Sequence, residues 1–358
     1  MKKWMKVLLI VLVCLCILVL IMPGYLRRAL IYTNVGIDDY TIFENREIVA
    51  SQPQELELHP FYNQLKWDNK YNDEFFSYSP VAFLIMKDDC ILLEDYYEEY
   101  GPESLSNSFS MAKSIVSLLI GIAIDEGKIK DVNQPVKDFL PDFEAAKSGE
   151  LTIEHLLTMS SGLDWDEAYS SAFSITTKAY YGQDLEGLLK PLGLIEKPGV
   201  TNNYVSGNSQ LLAMIINKAT GKTVSEYASE KLWGPIGASH NALWSLDDKD
   251  GIEKAYCCFN TNARDFARLG LLVLNEGNWH GKQIISSDYI NKATQAASWL
   301  KKPDGSPVDN YGYQFWTINH RGHQIPYFRG ILGQYIFIIK DYNAVVVRLG
   351  HKRADIRK

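Results

Sequence analysis

The sequence predicts an α+β fold in which N- and C-terminal strands join one antiparallel sheet flanked by helices, with an all-helical lobe inserted between them. Three observations support it. Strand patterns occur between residues 81 and 95 and again after residue 313, and helical patterns fill the stretch between them. The chain also opens on a long apolar run, which adds a transmembrane helix before the domain. With 358 residues and 46% apolar content, the protein can bury a large core.

The N-terminal segment, residues 1–28, is predicted to be a signal anchor. Lys2, Lys3 and Lys6 precede the uninterrupted apolar run Val7–Met22. As a helix this run is about 24 Å long, slightly short of a bilayer core of roughly 30 Å. No small-residue cleavage site follows it, which favours a retained membrane anchor over a cleaved signal peptide. Either interpretation places the remaining chain outside the cytoplasm, in the periplasm or at the cell surface.

Two further regions follow the anchor. Residues 29–75 are polar and aromatic without strong periodicity, which indicates a strap between membrane and domain, and we assign no activity to it. Residues 76–358 form the predicted domain. It opens with a hairpin, residues 81–87 and 90–95, joined by a turn at Asp88-Asp89.

The middle of the domain is predicted to be helical and its end to return to strands. Gly follows the first four helical segments, as is typical of helix C-termini, and the fifth has apolar residues at spacings of three and four. The predicted helices are Ser114–Glu126, Thr152–Met159, Leu211–Ala219, Ser225–Trp233 and Ala263–Asn275. The predicted C-terminal strands are Tyr313–Ile318, Gln334–Ile339 and Ala344–Leu349.

Composition excludes several classes of function. The formal net charge of −7 and the lack of Lys/Arg-rich runs argue against nucleic acid binding. No metal-ligand spacing occurs among the cysteines and histidines, so we expect no cofactor. The five cysteines do not form a disulfide framework, and the adjacent pair Cys257-Cys258 is expected to fill core space. We expect a small-molecule or peptide substrate.

Ser110-Met-Ala-Lys113 is the motif that indicates chemistry. It opens a strongly apolar helix, so the Ser110 N–H is unpaired within the helix and lies at the positive end of its dipole. Lys113 follows on the same face, about 5 to 6 Å away at Cβ. A hydroxyl needs a base to become a nucleophile, and a desolvated lysine can act as that base. The pair therefore predicts an acyl-enzyme on Ser110 with Lys113 as general base.

Context distinguishes this motif from chance matches. Ser298-Trp-Leu-Lys301 has the same pattern but runs into a turn, so we interpret it as surface sequence. Tyr-x-Ser/Asn also occurs five times. Only Tyr204-Val-Ser206 lies in a polar, Gly-bearing loop directly before a helix and well downstream of Ser110. A tyrosine there can pass a proton to the leaving group.

Together these motifs resemble the serine β-lactamase and penicillin-binding-protein superfamily, nearest the class C branch and the 6-aminohexanoate-dimer hydrolase type. The resemblance covers about residues 76 to 350. Besides the two motifs above, it rests on Ser108-Phe-Ser-Met-Ala-Lys-Ser114, Leu156-Leu-Thr-Met-Ser-Ser-Gly162, Asn262-Ala-Arg-Asp-Phe-Ala-Arg268 and Gly330-Ile-Leu-Gly-Gln-Tyr335.

The resemblance implies the roles of the site residues. Ser110 would be the nucleophile, Lys113 the general base and Tyr204 the proton shuttle. Supporting, oxyanion and substrate-binding roles would fall on residues around them. Ser206 would be a hydrogen-bonding partner near the lysine, the strand bearing Gly330 and Gly333 would line the cleft with the Ile331 N–H as second oxyanion donor, and Tyr169 would contact the substrate amide.

The third motif of the superfamily, Lys-Thr-Gly, is absent. Tyr327-Phe-Arg-Gly330 stands on the expected strand, so a fixed cation for a substrate carboxylate is missing unless His323 or Arg329 supplies it. Efficient β-lactam hydrolysis is therefore disfavoured. The leading hypothesis is a membrane-anchored, exported hydrolase of small amides or esters. A D-peptidase, penicillin-binding protein or β-lactamase is the enzymatic alternative, and a membrane-tethered sensor or binding module is the non-catalytic one.

Overall fold

The computed structural model of the protein describes residues 3–66 and 68–354. Lys2 and the last four residues of the predicted domain lie outside the described residues. The helices are α1 Lys3–Ile21, α2 Gly24–Ile31, α3 Asn72–Ser77, α4 Met111–Asp125, α5 Ile153–Leu157, α6 Ile175–Tyr181, α7 Leu185–Leu189, α8 Ser206–Thr220, α9 Val224–Ala228, α10 Ala263–Leu274 and α11 Ser287–Ala293. The strands are β1 Asn45–Ile48, β2 Pro80–Lys87, β3 Cys90–Tyr96, β4 Ser106–Asn107, β5 Ala242–Ser245, β6 Phe259–Thr261, β7 Asn278–Trp279, β8 Lys282–Gln283, β9 Trp316–His320, β10 His323–Gly330, β11 Gln334–Ile339 and β12 Ala344–Gly350.

The largest sheet joins the two ends of the domain, as the sequence predicts. Its six strands run in the order β3-β2-β12-β11-β10-β9, and every neighbouring pair is antiparallel. β2 and β12 are far apart in sequence and pair with Val345 opposite Met86. A second sheet, β1-β5-β6-β4, lies beside the start of α4. The predicted antiparallel arrangement is confirmed.

Helices cover the sheet and form the inserted lobe. α10 packs against β11 and β12, and Gly270 sits at the contact, where a Cβ would meet Val345 Cγ1 at 2.4 Å. α4 carries an almost entirely buried set of side chains and packs against α8. Between α4 and β5 the described chain is helical apart from turns and isolated bridges. The α+β class with its helical insertion is confirmed.

Element boundaries differ from the predicted ones where polar residues are buried. α8 begins at Ser206, five residues before the predicted start, because Ser209 and Gln210 hydrogen-bond inside the protein. α9 ends at Ala228 and continues as a π-helical turn to Trp233. β10 was not predicted from periodicity, since its polar and aromatic residues do not alternate in a simple pattern.

The N-terminal apolar run forms most of α1. Among the residues that the structure describes, no helix is both long and apolar enough to cross a membrane. The predicted transmembrane helix is therefore not supported by the structure.

The predicted strap is built into the folded body. β1 pairs with β5, and Ile37 and Ile48 are completely buried in the main core. α2 packs on α6, where the Tyr181 hydroxyl donates to the Tyr32 carbonyl at 2.6 Å. The segment after α2 is thereby held against the helical lobe.

Candidate active site

A cavity of about 320 Å³ lies where α4, the helical lobe and the end of β10 meet. We call it the main cavity. Three walls enclose it: the start of α4 with the residue after β10, the loop before α6 with α6 itself, and the segment around α2. Its lining residues are Ala29, Thr33, Asn34, Val35, Phe109, Ser110, Tyr169, Ser170, Ser171, Ala172, Thr176, Thr177, Tyr180, Tyr181, Ser206, Tyr256, Cys257 and Ile331.

Ser110 is presented by a tight turn at the start of α4. The preceding residue, Phe109, has φ of +42°, a left-handed conformation that costs a non-glycine residue about 1–3 kcal/mol. Hydrogen bonds hold this turn: the Phe109 N–H donates to Asn107 Oδ1 at 2.8 Å, and the Ser108 N–H donates to the Phe259 carbonyl at 2.8 Å. The Ser110 hydroxyl therefore faces the cavity in a fixed direction.

Lys113 lies behind Ser110, one turn into α4. Its Nζ donates to Ser110 Oγ at 3.2 Å and to the Tyr256 carbonyl at 2.7 Å, and the residue is only 1% exposed. Burial disfavours the ammonium form and lowers the pKa of Lys113 to about 8, although the charge of Glu167 acts in the opposite direction. A substantial fraction of the amine is consequently neutral near physiological pH, as a base requires.

Tyr204 lies close to both Ser110 and Lys113. Its side chain hydrogen-bonds to Ser110, and its ring lies 5.2 Å from Lys113 Nζ. Burial and the negative charge of Glu167 raise the pKa of Tyr204 above its usual value of about 10. The phenol therefore keeps its proton at neutral pH and can donate it. This difference in pKa supports Lys113 as base and Tyr204 as proton donor.

Glu167 connects three site residues and was not singled out by sequence reasoning. Its carboxylate accepts hydrogen bonds from the Ser206 hydroxyl at 2.6 Å, the Ser206 N–H at 2.7 Å and the Tyr169 hydroxyl at 2.5 Å. Its position in the sequence could have indicated it, because Glu167 lies two residues before Tyr169 in a loop that was expected to contact the substrate. Ser206, predicted to lie near the lysine, is thus held by a carboxylate.

The end of β10 approaches the start of α4 closely. A Cβ on Gly330 would lie 2.3 Å from the Ser108 carbonyl oxygen, so only glycine fits there. Ile331 follows and lines the main cavity beside Ser110. Within the described part of the chain, the backbone N–H groups of Ser110 and Ile331 donate no hydrogen bond. These two donors can hold an oxyanion, as the resemblance implies.

Gly333 and Tyr169 occupy different surroundings. Tyr169 lines the main cavity and is 56% exposed, as expected of a residue that meets the substrate. Gly333 is buried, and its carbonyl accepts from Arg348 Nη1 at 2.7 Å. It is not among the residues that line the cavity. The structure therefore brings all the predicted site residues except Gly333 into one place.

Arg329 is the candidate cation of this site. Its guanidinium lies 4.6 Å from the centroid of the Trp316 ring, which in turn lies 5.5 Å from the Tyr204 ring. Its positive charge also favours the ionised form of Tyr204, in opposition to burial. His323 begins β10 at the far end of the strand and pairs with Asp341, so it does not take this place.

Cys257 and Cys258 belong to the buried core, as expected, and are joined to each other by a disulfide that was not predicted. Both are buried, at 4% and 0% exposure, and Cys257 lines the main cavity. The cysteine spacings that indicate disulfides in a sequence do not include two adjacent cysteines, so the bond could not be predicted from the sequence.

The remaining motifs are accounted for by their positions. Ser298 and Lys301 lie in a turn that opens no helix. Tyr227 and Tyr289 lie in helices and hydrogen-bond to Glu126 and Ser117, away from the cavity. Among the described residues, no group of three or more His, Cys, Asp or Glu side chains could hold a metal ion.

Known proteins that this chain resembles in sequence are described as hydrolases. The chain is 27% identical over 284 residues to a 6-aminohexanoate-dimer hydrolase of Paenarthrobacter ureafaciens, covering 75% of this chain and 71% of that protein. It is 27% identical over 170 residues to a teichoic acid D-alanine hydrolase of Staphylococcus aureus, covering 46% of this chain and 38% of that protein.

A solved structure shares the fold. A protein described as a putative 6-aminohexanoate-dimer hydrolase from Bacillus anthracis superposes with a TM-score of 0.72 at 21% identity, over 88% of this chain and 87% of that one. The family model described as Beta-lactamase matches residues 78–357, which is most of the chain. The chain therefore belongs to the β-lactamase family and is a serine hydrolase of the β-lactamase and penicillin-binding-protein superfamily.

Proposed function

We propose that the protein hydrolyses small amides or esters through an acyl-enzyme on Ser110. The observation that carries this proposal is the contact of 3.2 Å between Ser110 Oγ and the buried Lys113 Nζ. Neutral Lys113 takes the hydroxyl proton as Oγ forms a bond to the substrate carbonyl carbon. The carbonyl oxygen becomes negative, and the N–H groups of Ser110 and Ile331 stabilise it.

Collapse of this intermediate breaks the bond to the leaving group. Tyr204 donates its hydroxyl proton to the departing nitrogen or oxygen, and the proton held by Lys113 replaces it. Water then attacks the acyl carbon, and Lys113, which is neutral again, accepts a proton from it. The bond between the acyl carbon and Ser110 Oγ breaks, and this proton passes to Oγ and restores the hydroxyl. The high pKa of Tyr204 and the low pKa of Lys113 suit this direction of transfer.

The substrate class is inferred from the walls of the main cavity and from Arg329, whose charge acts on Tyr204. Tyr169 and Ser206 provide hydroxyl groups, and Arg329 provides a positive charge beside Trp316. We propose an amide or ester that carries a carboxylate at a distance from the bond that is cleaved. Relatives described as 6-aminohexanoate-dimer hydrolase and teichoic acid D-alanine hydrolase support cleavage of amides or esters.

The first test is covalent labelling with a fluorophosphonate, followed by intact-mass analysis. Wild-type protein is expected to take one adduct, Ser110→Ala none, and Lys113→Ala one adduct at least about 100-fold more slowly. Labelling that survives in Ser110→Ala would rule out this nucleophile. The surface motif supplies a matched control, since Ser298→Ala is expected to label as wild type does.

The second test is turnover of paired substrates. p-Nitrophenyl esters with and without a terminal carboxylate, linear amides, D-Ala peptides and a chromogenic β-lactam are compared. Arg329→Gln is expected to raise KM for the carboxylate-bearing ester and to leave the neutral ester unchanged. A β-lactam rate far above the others would favour the β-lactamase alternative. An acyl adduct that forms and is never released would favour the non-catalytic alternative, a sensor or binding module.

We also propose that the protein is exported and tethered by its N-terminal segment. The support is the sequence alone: Lys2, Lys3 and Lys6 flank the apolar run Val7–Met22. A membrane-impermeant fluorophosphonate is expected to label Ser110 in intact cells, and the labelled protein to sediment with membranes. Labelling only after lysis would contradict an extracytoplasmic site.

A further inference from the structure

The disulfide between Cys257 and Cys258 adjoins the carbonyl that holds Lys113. Tyr256 directly precedes the pair, and its carbonyl accepts from Lys113 Nζ at 2.7 Å. Cys257 shares the wall of the main cavity with Ser110. The disulfide is therefore separated from the proposed base by one backbone carbonyl.

A disulfide between neighbouring residues restricts the backbone strongly. It closes a small ring that contains the peptide bond joining the two cysteines, so the torsions within the ring cannot vary freely. Cys258 has φ of +68°, in the left-handed region that non-glycine residues seldom adopt. The ring holds the chain in this conformation beside the cavity.

The other side of the pair is anchored to β5. Trp244 Nε1 donates to the Cys257 carbonyl at 3.0 Å. The Cys258 carbonyl accepts from the Ser245 N–H at 2.9 Å and from Asn260 Nδ2 at 2.8 Å. The ring is thus fixed to the sheet, and the Tyr256 carbonyl just before it has little freedom to move.

Lys113 depends on that carbonyl for its orientation. Its Nζ hydrogen-bonds to Ser110 Oγ and to the Tyr256 carbonyl. The titratable groups that face it are Glu167 from the loop before α6, Tyr204 from the segment before α8, and Tyr256 itself. Since no carboxylate of residues 3–66 or 68–354 bonds directly to Nζ, the carbonyl is the fixed acceptor that directs the amine toward Ser110.

We propose that the Cys257–Cys258 disulfide is a positioning element for Lys113, because it fixes the Tyr256 carbonyl that holds Nζ toward Ser110. The inference rests on the proposed function, in which Lys113 is the base. Reduction by a phosphine splits the S–S bond: the sulfurs receive two electrons and two protons, and the phosphine becomes its oxide with the oxygen of water. The backbone is then free to relax and admit water to Lys113.

The test compares the full-length double variant Cys257→Ala/Cys258→Ala with Cys90→Ala, which removes a free, half-buried thiol. kcat and KM for a p-nitrophenyl ester are measured across the pH range. Without the disulfide, water can reach Lys113, and its pKa rises because burial is what keeps it low. The double variant is therefore expected to lose about tenfold in kcat at pH 7, with the midpoint of the pH profile raised by about one unit and KM within about twofold. Cys90→Ala is expected to match wild type.

Two results would overturn the inference. An unchanged midpoint and kcat would show that the disulfide does not position the base, and a raised KM with an unchanged midpoint would make it a substrate contact instead. If the double variant does not fold, wild-type protein replaces it. The protein is reduced until alkylation of an aliquot shows two more thiols than in the oxidised protein, and the remainder is then measured and reoxidised. A reversible shift of the midpoint supports the inference, and an unchanged midpoint overturns it.

Labelling of Lys113→Ala separates this inference from the proposed function. If that variant labels as fast as wild type, Lys113 is not the base and the proposed function fails. If it labels slowly while the disulfide variants keep the wild-type pH profile, only the positioning role fails.

Discussion

In the part of the chain that the structure describes, no carboxylate bonds to the amine of Lys113. Its Nζ is surrounded by a hydroxyl, a carbonyl and aromatic rings, and the side chain is almost completely buried. Burial takes the ammonium form out of solvent, and no direct ion pair with another described residue compensates for the lost solvation. The same burial that makes this residue costly for folding makes it a base at moderate pH.

The pH dependence of acylation follows from this residue. Only the neutral amine accepts the Ser110 proton, and the pKa of Lys113 is lowered to about 8. We expect the fluorophosphonate labelling rate to rise about tenfold per unit below pH 8 and to level off above it. Rates measured from pH 6 to 10 check this, and a rate that falls with pH in this range would contradict it.

Glu167 sets the electrostatics around both proton-transfer residues. Its negative charge raises the pKa of Lys113 and of Tyr204. It also holds Tyr169 and Ser206 through hydrogen bonds. The carboxylate therefore joins the substrate loop to the start of α8.

Replacing this carboxylate is expected to move the pH profile. In Glu167→Gln the negative charge is gone, so the pKa of Lys113 falls and the midpoint of the acylation profile moves to lower pH. KM is expected to rise severalfold, because the amide has one acceptor oxygen in place of two and cannot keep all the hydrogen bonds from Tyr169 and Ser206. Asp166→Asn, an exposed neighbour in the same loop, is the matched control and should leave both quantities unchanged. A midpoint that stays in place in Glu167→Gln would contradict the electrostatic role.

At the scale of elements, the site forms where the start of α4 meets the end of β10. The turn before α4 places the Ser110 N–H, and the residue after β10 places the Ile331 N–H. Their spacing depends on the close approach of Gly330 to the Ser108 carbonyl. A helix start and a strand end are thereby fixed to each other by backbone contact.

Gly330→Ala tests this contact. A Cβ would lie 2.3 Å from the Ser108 carbonyl oxygen, so the end of β10 must move away and carry the Ile331 N–H with it. Loss of one oxyanion donor lowers kcat on the order of 100-fold. Steady-state kinetics check this. Gly101→Ala, where a Cβ meets nothing within 4 Å, should retain wild-type kcat, and equal kcat in both variants would refute the argument.

The segment before the predicted domain contributes an element to the core. β1 extends the sheet of β5, and Ile48 is completely buried while the next residue, Val49, is 47% exposed. Ala29 and Val35 lie further upstream, in the wall of the main cavity. Residues 29–48 therefore support both the core and the site.

Ile48→Ala is expected to lower the free energy of unfolding by roughly 2–5 kcal/mol, because it removes buried methyl groups and leaves a cavity. Val49→Ala, in the adjacent exposed position, should lower it by less than about 1 kcal/mol. Urea unfolding of both variants measures the difference. Equal effects would mean that β1 is not part of the cooperative core.

For the whole molecule, burial of titratable groups determines how stability depends on pH. Lys113 and Lys254 are both buried, and their pKa values are lowered to about 8 and about 7. The Lys254 amine donates to the Ala179 and Gly182 carbonyls at 3.3 Å. Burial has the opposite effect on tyrosines and raises the pKa of Tyr97 and Tyr181 to about 12.

We therefore expect a stability maximum near pH 10. Between about pH 7 and 10 the unfolded chain keeps these lysines protonated while the folded protein does not, so the unfolded state binds more protons and stability rises with pH. Above pH 10 unfolded tyrosines ionise first, and stability falls. Urea unfolding at pH 7 and 9.5 should differ by at least about 1.4 kcal/mol.

A variant pair checks the source of this dependence. Lys254→Met removes one buried amine and should reduce the increase in the free energy of unfolding between pH 7 and 9.5. Lys249→Met, at an exposed position, should leave this increase unchanged. An identical increase in the free energy of unfolding in both variants would mean that Lys254 does not contribute to the pH dependence of stability.

The sequence by itself determined the fold class and the choice of the residues proposed to react. Hydrophobic periodicity and the glycines after helices predicted the strands at both ends and the helices between them, because these are local properties of the chain. Ser110 and Lys113 lie three residues apart on one helix, so their contact is also local. Tyr204 could be selected because it stands in a polar loop before a helix.

Only the tertiary structure decided which distant residues complete the site. Glu167, Tyr256 and Arg329 reach it from three separate segments, and residues 29–35 form a wall that their composition did not indicate. The structure also placed Gly333 against Arg348, outside the cavity. Contacts between segments far apart in the chain depend on packing, and packing leaves no local periodic signal in a single sequence.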